Sequence, residues 1–315
     1  MKTGLALGAI VGIAAALAWP GGPGARADTP PGPPLAPTTT APTEEAPESL
    51  QMAQDPSLRL TLSVKINGQG PFDFLVDTGS DRTVISRELA ESLALPPGPK
   101  VLIHESTGTD EAKTVVIDHL AIGNRVIDHI EAPALAAKDL GGAGMLGVDA
   151  LRDLHVVMDF KAMRMSSSPS RAEVVDRDTI VVRGKNRLGQ LILAHSKIHG
   201  VPILVVVDSG AQLSVGNPAL LKLLNRRSVS QTPSSSTQIV SVTGRSVTVE
   251  LDPITEADVG GVVIRNMSLG FAPLPIFDRF GLADAPALLL GMDVLSLCRR
   301  VSVDLRRREA TFTLN

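Results

Sequence analysis

Two short segments of the chain, 131 positions apart, carry nearly the same residues. The first is Phe72–Ser80 (Phe-Asp-Phe-Leu-Val-Asp-Thr-Gly-Ser), and the second is Ile203–Ala211 (Ile-Leu-Val-Val-Val-Asp-Ser-Gly-Ala). Each is a largely apolar run that ends in an Asp, a hydroxyl residue and a Gly. Because a buried carboxylate is costly unless a partner stabilises it, meeting this pattern twice is informative. The pattern indicates two related halves that bring Asp77 and Asp208 together.

Further landmarks recur in the same order on both sides of these segments. The pairs are Lys65–Gly68 with Lys197–Gly200, Met145–Leu151 with Leu289–Leu295, and His155–Phe160 with Val301–Leu305. The period is close to the size of a small domain and is too long for a solenoid repeat. The sequence therefore predicts two homologous lobes.

Short β-rich runs separated by Gly, Pro and Asn dominate the chain, which is typical of an all-β fold. Two helices are expected, Ser86–Leu93 and Pro218–Leu224, and both follow their Asp motif at a similar distance. With 315 residues the chain is long enough for two hydrophobic cores. We expect an N-terminal lobe over 57–170 and a C-terminal lobe over 171–315.

The Asp-Thr/Ser-Gly-Ser/Ala motif, followed by an apolar-apolar-Gly segment and a short helix, resembles the pattern of the aspartic proteases. The resemblance covers about Leu58 to Asn315 and is closest to retropepsin-like enzymes, with both halves fused in one chain as in pepsins. It implies an all-β fold with a few short helices, in which two β-barrel lobes enclose the active-site cleft. It also implies an aspartic endopeptidase with a peptide or protein substrate.

Asp77 and Asp208 are the predicted catalytic dyad. Peptide hydrolysis needs a base that activates water and a donor that polarises the scissile carbonyl. Two carboxyls that share one proton supply both, because like charges about 3 Å apart cannot both ionise. Gly79 and Gly210 are expected to permit a sharp turn and a close approach to the carboxylates.

The residues beside the dyad are expected to fix its geometry. The resemblance implies that Thr78 and Ser209 point away from the substrate and hydrogen-bond across the lobe interface. Ser80 is expected to donate to the carboxylate of its own lobe, which Ala211 cannot do. This difference predicts a slight bias in where the shared proton sits.

Two predicted hairpins, Val101–Ile117 and Thr237–Leu251, follow the Asp motifs. The resemblance implies that they are flaps that exclude water and bind the substrate backbone. The candidate flap residues are Ser106, Thr107, Gly108, Thr243 and Gly244. Pepsins carry a flap Tyr, whereas this chain has no Tyr, which favours the retropepsin comparison. The alternative is a pair of ordinary surface hairpins.

Asp149 and Asp293 are interpreted as structural residues. Each follows a Gly by two positions and precedes a short apolar run, where an N-cap Asp would accept backbone N–H bonds. The nearby segment Gly142–Gly147 matches the dinucleotide-binding pattern. We reject that reading because the pattern requires a preceding strand and a long helix after it.

The first 56 residues have a different composition. Lys2 precedes an apolar stretch, Leu5–Trp19, which is short for a membrane span, and Ala25–Ala27 is a small-x-small cleavage motif. These features predict a signal peptide over 1–27, with an uncleaved N-terminal anchor as the alternative. The Pro- and Thr-rich residues 28–56 are predicted to form a disordered linker.

Cys298 is the only cysteine, so no intrachain disulfide is possible, and its apolar setting predicts a buried thiol. Together with the signal peptide, this indicates an exported protein in the periplasm or outside the cell. Membrane attachment is expected only if the N-terminal segment stays uncleaved.

Composition also limits which partners and cofactors are expected. The formal net charge of −3 gives no reason to expect nucleic-acid binding. The six His residues show no zinc-binding spacing, so neither a metal nor a cofactor is expected. The fusion of two lobes predicts a monomeric pseudo-dimer.

Three functions are compatible with these features. The leading one is an aspartic endopeptidase. The second is a non-catalytic peptide-binding envelope protein that retains the protease fold. The third is a structural envelope protein tethered by the Pro/Thr-rich segment. The presence of Asp in both motifs favours the first.

Overall fold

The computed structural model describes residues 48–51, 61–104, 108–187, 190–226 and 235–314. Strands dominate these residues, and the helices are short, so the predicted all-β fold with a few short helices is confirmed. None of the helices in the described residues is long and apolar enough to cross a membrane. The predicted signal peptide, 1–27, lies outside the described residues.

The first lobe contains one seven-stranded sheet. Its elements are β2 (Thr61–Ile66), β3 (Gln69–Val76), β4 (Val84–Ser86), α1 (Arg87–Ser92), β5 (Pro97–His104), β6 (Thr109–Ile122), β7 (Arg125–Leu135), α2 (Ala137–Leu140), β8 (Gly144–Leu146) and α3 (Val148–Leu151); the strand that precedes them is β1 (Glu48–Gln51). The strand order is β2-β3-β8-β4-β7-β6-β5, and an additional β2–β6 pairing closes it into a barrel.

The second lobe repeats this order with its own strands. After β9 (Leu154–Asp159) and β10 (Arg164–Pro169) come β11 (Thr179–Arg187), β12 (Gln190–Ile198), β13 (Val201–Val207), β14 (Val215–Gly216), α4 (Pro218–Arg226), β15 (Ser235–Val240), β16 (Ser246–Val259), β17 (Val262–Phe271), α5 (Pro275–Arg279), β18 (Ala287–Leu290), α6 (Met292–Leu295), β19 (Arg300–Asp304) and β20 (Glu309–Thr313). The order β12-β13-β18-β14-β17-β16-β15 matches the first lobe strand for strand, and β12–β16 closes the barrel.

Six more strands, in the order β1-β10-β9-β19-β20-β11, continue the sheet of the second lobe through the pairing of β11 with β12 and join the two lobes. At its centre β9 pairs antiparallel with β19, so that Met158 faces Val301 and Val156 faces Val303. All four side chains are buried, which explains why both tails of the internal repeat are apolar. Burial of each such side chain contributes about 1.5–3 kcal/mol relative to exposure.

Strand β1 corrects one prediction. Residues 28–56 were expected to be a disordered linker, but Glu48–Gln51 pair antiparallel with β10, with Leu50 opposite Met165. Strand pairing uses backbone donors and acceptors and needs no large apolar side chains, so composition did not reveal it. The remaining linker residues, 28–47 and 52–56, lie outside the described residues.

The two predicted helices form with local signals. The Ser86 hydroxyl caps α1 by accepting the Leu89 N–H at 3.1 Å, and Pro218 begins α4. Helix α4 continues to Arg226, two residues beyond the predicted end. Each helix packs its buried side chains, among them Ala90 in α1, against the barrel of its own lobe.

Candidate active site

Asp77 and Asp208 occupy equivalent positions at the ends of two equivalent strands. Asp77 follows β3, which pairs parallel with β8, and Asp208 follows β13, which pairs parallel with β18. The Asp77 N–H donates to Leu146 O and the Asp208 N–H donates to Leu290 O, both at 3.0 Å. Both strands are buried where they approach the Asp, which accounts for the apolar runs in the sequence.

Each carboxylate is held by backbone donors of its own loop. Asp77 Oδ1 accepts the N–H groups of Gly79 at 2.7 Å and Ser80 at 3.0 Å. Asp208 Oδ1 accepts the N–H groups of Gly210 at 2.9 Å and Ala211 at 3.1 Å. Two N–H donors per carboxylate stabilise charge at a half-buried position.

The two carboxyl groups meet at the junction of the lobes, close enough for the charge of Asp208 to raise the pKa of Asp77. Each also lies against the glycine of the opposite loop. A Cβ atom at Gly79 would collide with the Asp208 carboxylate, and one at Gly210 would collide with that of Asp77. Glycine is therefore required at both positions for close approach.

A reciprocal set of hydrogen bonds joins the two loops. Thr78 Oγ1 donates to Val207 O at 3.1 Å and accepts the Ser209 N–H at 3.0 Å. Ser209 Oγ donates to Val76 O at 2.9 Å and accepts the Thr78 N–H at 3.1 Å. Thr78 and Ser209 are 2% and 0% exposed, so these bonds form away from solvent. They hold the two Asp residues in register across the lobe interface.

The prediction for Ser80 is wrong in one respect. Its hydroxyl donates to Arg82 O at 2.8 Å and not to the Asp77 carboxylate, which it contacts through its backbone N–H. Ala211 makes the same backbone contact with Asp208. The expected bias of the shared proton through the Ser80 hydroxyl therefore has no structural basis.

Asp149 and Asp293 are structural, but they are not N-caps as predicted. The caps of α3 and α6 are Gly147 and Gly291. Asp149 instead accepts the N–H of Thr83 at 2.9 Å and its hydroxyl at 2.7 Å. Because the partner lies 66 residues earlier, a local capping pattern could not identify it.

The second lobe has the same arrangement. Asp293 accepts the N–H of Ser214 at 3.0 Å and its hydroxyl at 2.6 Å, and Ser214 Oγ accepts the Gly291 N–H at 2.9 Å. Sequence reasoning missed Ser214 and its equivalent, Thr83. Both are hydroxyl residues six positions after a dyad Asp, and that shared spacing was the available signal.

Burial and mutual repulsion shift the titration of the dyad. Burial, followed by the charge of Asp208, raises the pKa of the Asp77 carboxyl well above its ordinary value. Burial also raises the pKa of Asp208, against the hydrogen bond from Asp77 and those from its own loop. The two groups titrate as a pair, which retains one proton at a pH where isolated carboxyls have lost theirs.

These raised pKa values predict that the dyad stabilises the fold less as the pH rises. A group whose folded pKa is raised contributes stability that is complete below its unfolded pKa, about 3.9 for Asp. That contribution is lost as the pH rises through the folded value. The free energy of unfolding of the wild type, relative to Asp77→Asn, should therefore fall as the pH rises above about 4. Urea unfolding at several pH values measures it, and a difference that stays constant or rises with pH would contradict the expectation.

A cleft of about 530 Å³ surrounds the dyad. Both lobes line it with apolar side chains, among them Val84, Met145, Val215, Leu274, Ile276 and Leu289. Polar groups converge on the dyad within this apolar surface, as in sites that bind and orient small ligands or peptides.

Comparison with protein-family models covers both halves of this site. Residues 62–153 match a family described as "gag-polyprotein putative aspartyl protease", and residues 194–294 match a family described as "Aspartyl protease". The matched segments contain Asp77 and Asp208, one in each, and together cover more than half of the chain. The chain belongs to the aspartic proteases. Its resemblance to retropepsin-like enzymes, with two lobes in one chain, is confirmed. A comparison with curated proteins finds no match.

Hairpins from both lobes of this aspartic protease border the cleft. Strands β5 and β6 form the first, with His104 opposite Thr109, and β15 and β16 form the second, with Val240 opposite Ser246. Residues of β5 and β15, such as Leu102, line the cleft. Both strands are sheet edges, which leaves their outer backbone groups able to pair with an extended peptide.

Of the candidate flap residues, Gly108, Thr243 and Gly244 belong to the described residues. Ser106 and Thr107 fall outside the described residues. Gly108 lies beside the Arg245 guanidinium of the second hairpin. The second turn contains Thr243 and Gly244, and Gly244 has a φ of +84°, a conformation that favours glycine.

An ion pair links the two hairpins of the protease. Arg245 Nε donates to Asp110 Oδ2 at 2.7 Å, and its Nη2 donates to Asp110 Oδ1. Thr243 Oγ1 donates to the same carboxylate at 3.0 Å. The hydrogen bond from Arg245 is the largest influence that lowers the pKa of Asp110. The pair connects the lobes on the hairpin side of the cleft.

Asp110→Asn should therefore loosen the closed arrangement of the hairpins. We expect about a 1.5- to 5-fold faster association of a peptide ligand, the range of a partly exposed ion pair. Stopped-flow fluorescence measures the association rate. Glu111→Gln is the matched control, because Glu111 pairs with Lys100 within one hairpin at 2.6 Å. Equal association rates for both variants and the wild type would contradict a link that restrains opening.

Among the described residues, neither a metal-binding cluster nor a cysteine lines the cleft. The described residues contain no group of three or more His, Cys, Asp or Glu side chains placed to hold a metal ion. Cys298 is buried, and burial raises the pKa of its thiol to about 11, so the reactive thiolate is disfavoured.

Proposed function

We propose that the protein is an aspartic endopeptidase in which Asp77 and Asp208 activate a water molecule. One observation carries the proposal: two half-buried carboxyl groups from equivalent loops come together in an apolar cleft, each against the glycine of the opposite loop. A pair that holds one proton contains both a base and an acid at the same pH. Peptide hydrolysis needs both at the same moment.

The reaction follows from this proton arrangement. The ionised carboxyl removes a proton from water as the water oxygen attacks the scissile carbonyl carbon. The protonated carboxyl gives its proton to the carbonyl oxygen, which produces a neutral tetrahedral diol. The dyad then gives its proton to the departing amine as the C–N bond breaks, and one hydroxyl of the diol returns its proton to the dyad as the carbonyl re-forms. The dyad ends with one proton, as it began, and no covalent intermediate with the protein forms.

The surrounding loops and hairpins contribute to this reaction by positioning the two carboxyls and the peptide. The bonds of Thr78 and Ser209 fix the carboxyls relative to each other, so little reorganisation is needed during the reaction. The edge strands of the hairpins would hold the peptide extended across the dyad. Closure of the hairpins would exclude bulk water and strengthen the interactions of the dyad.

Export belongs to the proposal and is supported by the sequence alone. The apolar stretch Leu5–Trp19 and the motif Ala25–Ala27 predict cleavage after Ala27. Mass spectrometry of the protein recovered from culture medium or periplasm should then find a chain that begins at Asp28. Recovery of the intact chain in the cytosolic fraction would contradict export.

The proposed activity is tested with a mixed peptide library at about pH 3–7, the range over which carboxyl dyads titrate. We expect cleavage products, and we expect an inhibitor with a secondary alcohol in place of the scissile carbonyl to suppress them. Such an alcohol resembles the tetrahedral intermediate. A folded protein that binds the inhibitor but cleaves nothing would instead support the peptide-binding alternative.

A further inference from the structure

The cleft is assembled from equivalent segments of the two lobes, but one equivalent pair differs in charge. Four and five positions after its dyad Asp, the first lobe has Asp81 and Arg82. The second lobe has Gln212 and Leu213 at the same places. All four residues line the cleft. The pseudo-symmetric site is therefore asymmetric in its electrostatics.

Arg82 is the origin of this asymmetry. The charge of its neighbour Asp81 is balanced by Arg279 of the other lobe, whose Nη2 lies 2.6 Å from Asp81 Oδ2. The Arg82 guanidinium, in contrast, has no ion pair or hydrogen bond in the part of the chain that the structure describes. Arg82 is exposed at the wall of the cleft, and a cation without a partner at that place favours an anionic ligand.

The backbone that carries Arg82 is held in place. Ser80 Oγ donates to Arg82 O at 2.8 Å, and the next residue, Thr83, is fixed by its two bonds to Asp149. Gly147 packs so closely on the Arg82 backbone that a Cβ there would collide with it. A fixed backbone limits where the side chain can reach, which favours a defined subsite.

The other charges of the lining leave this cation unmatched. The carboxyls of Asp77 and Asp208 interact with each other. His104 Nδ1 lies 3.1 Å from Thr109 Oγ1. The remaining carboxylate, Asp139, lies beside Gly244 of the second hairpin and 4.0 Å from Lys138 Nζ. Neither group contacts Arg82.

We propose that Arg82 is a specificity-determining residue that selects an acidic side chain on one side of the scissile bond. Leu213 makes the equivalent subsite on the other side apolar. A guanidinium matches a carboxylate with two parallel hydrogen bonds, which are stronger than bonds between neutral groups. The inference rests on the proposed endopeptidase function and adds a substrate class: peptides with Glu or Asp at one defined position.

The test uses short peptides that differ only by Glu or Gln, with the substitution moved through each position around the cleaved bond. We expect about tenfold higher kcat/KM for Glu at one position on one side, and a ratio near one at its mirror position. The preference should weaken as salt increases, because screening acts on charge pairs that retain solvent contact.

Three variants locate the effect. Arg82→Gln should bring the Glu/Gln ratio close to one. Leu213→Arg should create a second Glu preference at the mirror position across the scissile bond. Arg164→Gln is the control, because it removes the same charge from an exposed residue of β10 and should leave the ratio unchanged.

The outcomes separate this inference from the proposed function. Cleavage with equal rates for Glu and Gln peptides at every position would overturn the role of Arg82 and leave the endopeptidase intact. If nothing is cleaved, the endopeptidase proposal fails, and fluorescence anisotropy with the same labelled peptides tests the subsite directly. Tighter binding of the Glu peptide, lost in Arg82→Gln, would support it. Equal binding, or binding of neither peptide, would overturn it.

Discussion

Asp77→Asn and Asp208→Asn are each expected to reduce kcat/KM for peptide cleavage by about 10³-fold or more, without unfolding the chain. General acid–base catalysis contributes about 10²–10⁴-fold, and the dyad supplies both roles with one proton. An amide in place of either carboxyl leaves a single titratable group, which cannot act as acid and base in the same step. Because the residues act as one unit, the double variant should be little worse than either single variant.

The same variants should stay folded because Asn has the shape of Asp and removes charge from a half-buried position. The Asn carboxamide oxygen can still accept the loop N–H groups that Asp77 accepts from Gly79 and Ser80. Far-UV circular dichroism and urea unfolding check this. Asp118→Asn, the same change at an exposed position on β6, should retain wild-type turnover. Full turnover in either dyad variant would overturn the assignment of the dyad.

Thr78→Val should be the most destabilising conservative change at the lobe junction. The hydroxyl that it removes donates to Val207 O and accepts the Ser209 N–H. Valine fills the same space and leaves both of these buried backbone groups without a partner. Each unsatisfied group costs about 1–3 kcal/mol, so we expect a loss of about 2–5 kcal/mol in the free energy of unfolding.

The matched control for this prediction is Thr78→Ser, which keeps the hydroxyl and removes only a methyl group. It should retain most of the stability and turnover that Thr78→Val loses. Urea unfolding gives the stability, and kcat reports whether the carboxyls keep their register. Equal stability of the Val and Ser variants would show that the interlobe hydrogen bonds are not the cause.

The dyad and its glycines were predictable because their signal is local and repeated. A strand buried on both faces reads as an apolar run, and an Asp-Thr-Gly or Asp-Ser-Gly at its end requires a turn with close packing. The repeat gave the pairing of Asp77 with Asp208, since equivalent strand ends meet at the junction of two equivalent lobes. The two helices were predictable for the same reason, through the Ser86 cap and Pro218.

Contacts between distant segments were not predictable in this way. Asp149 was read as a cap because the capping pattern is local, whereas its partner Thr83 is 66 residues away. The partner could have been identified only by comparing the two lobes, because Ser214 stands at the position of the second lobe that is equivalent to Thr83. No sequence pattern predicts the ion pair between Asp110 and Arg245, because the contact depends on how two hairpins from different lobes approach each other.

Strand β1 illustrates a further limit of sequence patterns. Its residues, Glu48–Gln51, lie at the edge of the joining sheet and are held there by backbone pairing with β10. An edge strand pairs with a single neighbouring strand and needs only the free backbone N–H and C=O groups of that strand, so a polar segment can form an edge strand. The hydroxyl of Ser80 shows the same point on a smaller scale, since the Arg82 carbonyl competes with Asp77 for it.

The central claim is that each chain contains one site, made by one Asp from each lobe. Isothermal titration with a peptide whose scissile carbonyl is replaced by a secondary alcohol tests this most directly. We predict one molecule bound per chain, and loss of binding by Asp77→Asn and by Asp208→Asn alike, because the alcohol must bridge both carboxyls. Binding that survives either substitution, or half a molecule per wild-type chain, would contradict a complete site within one chain.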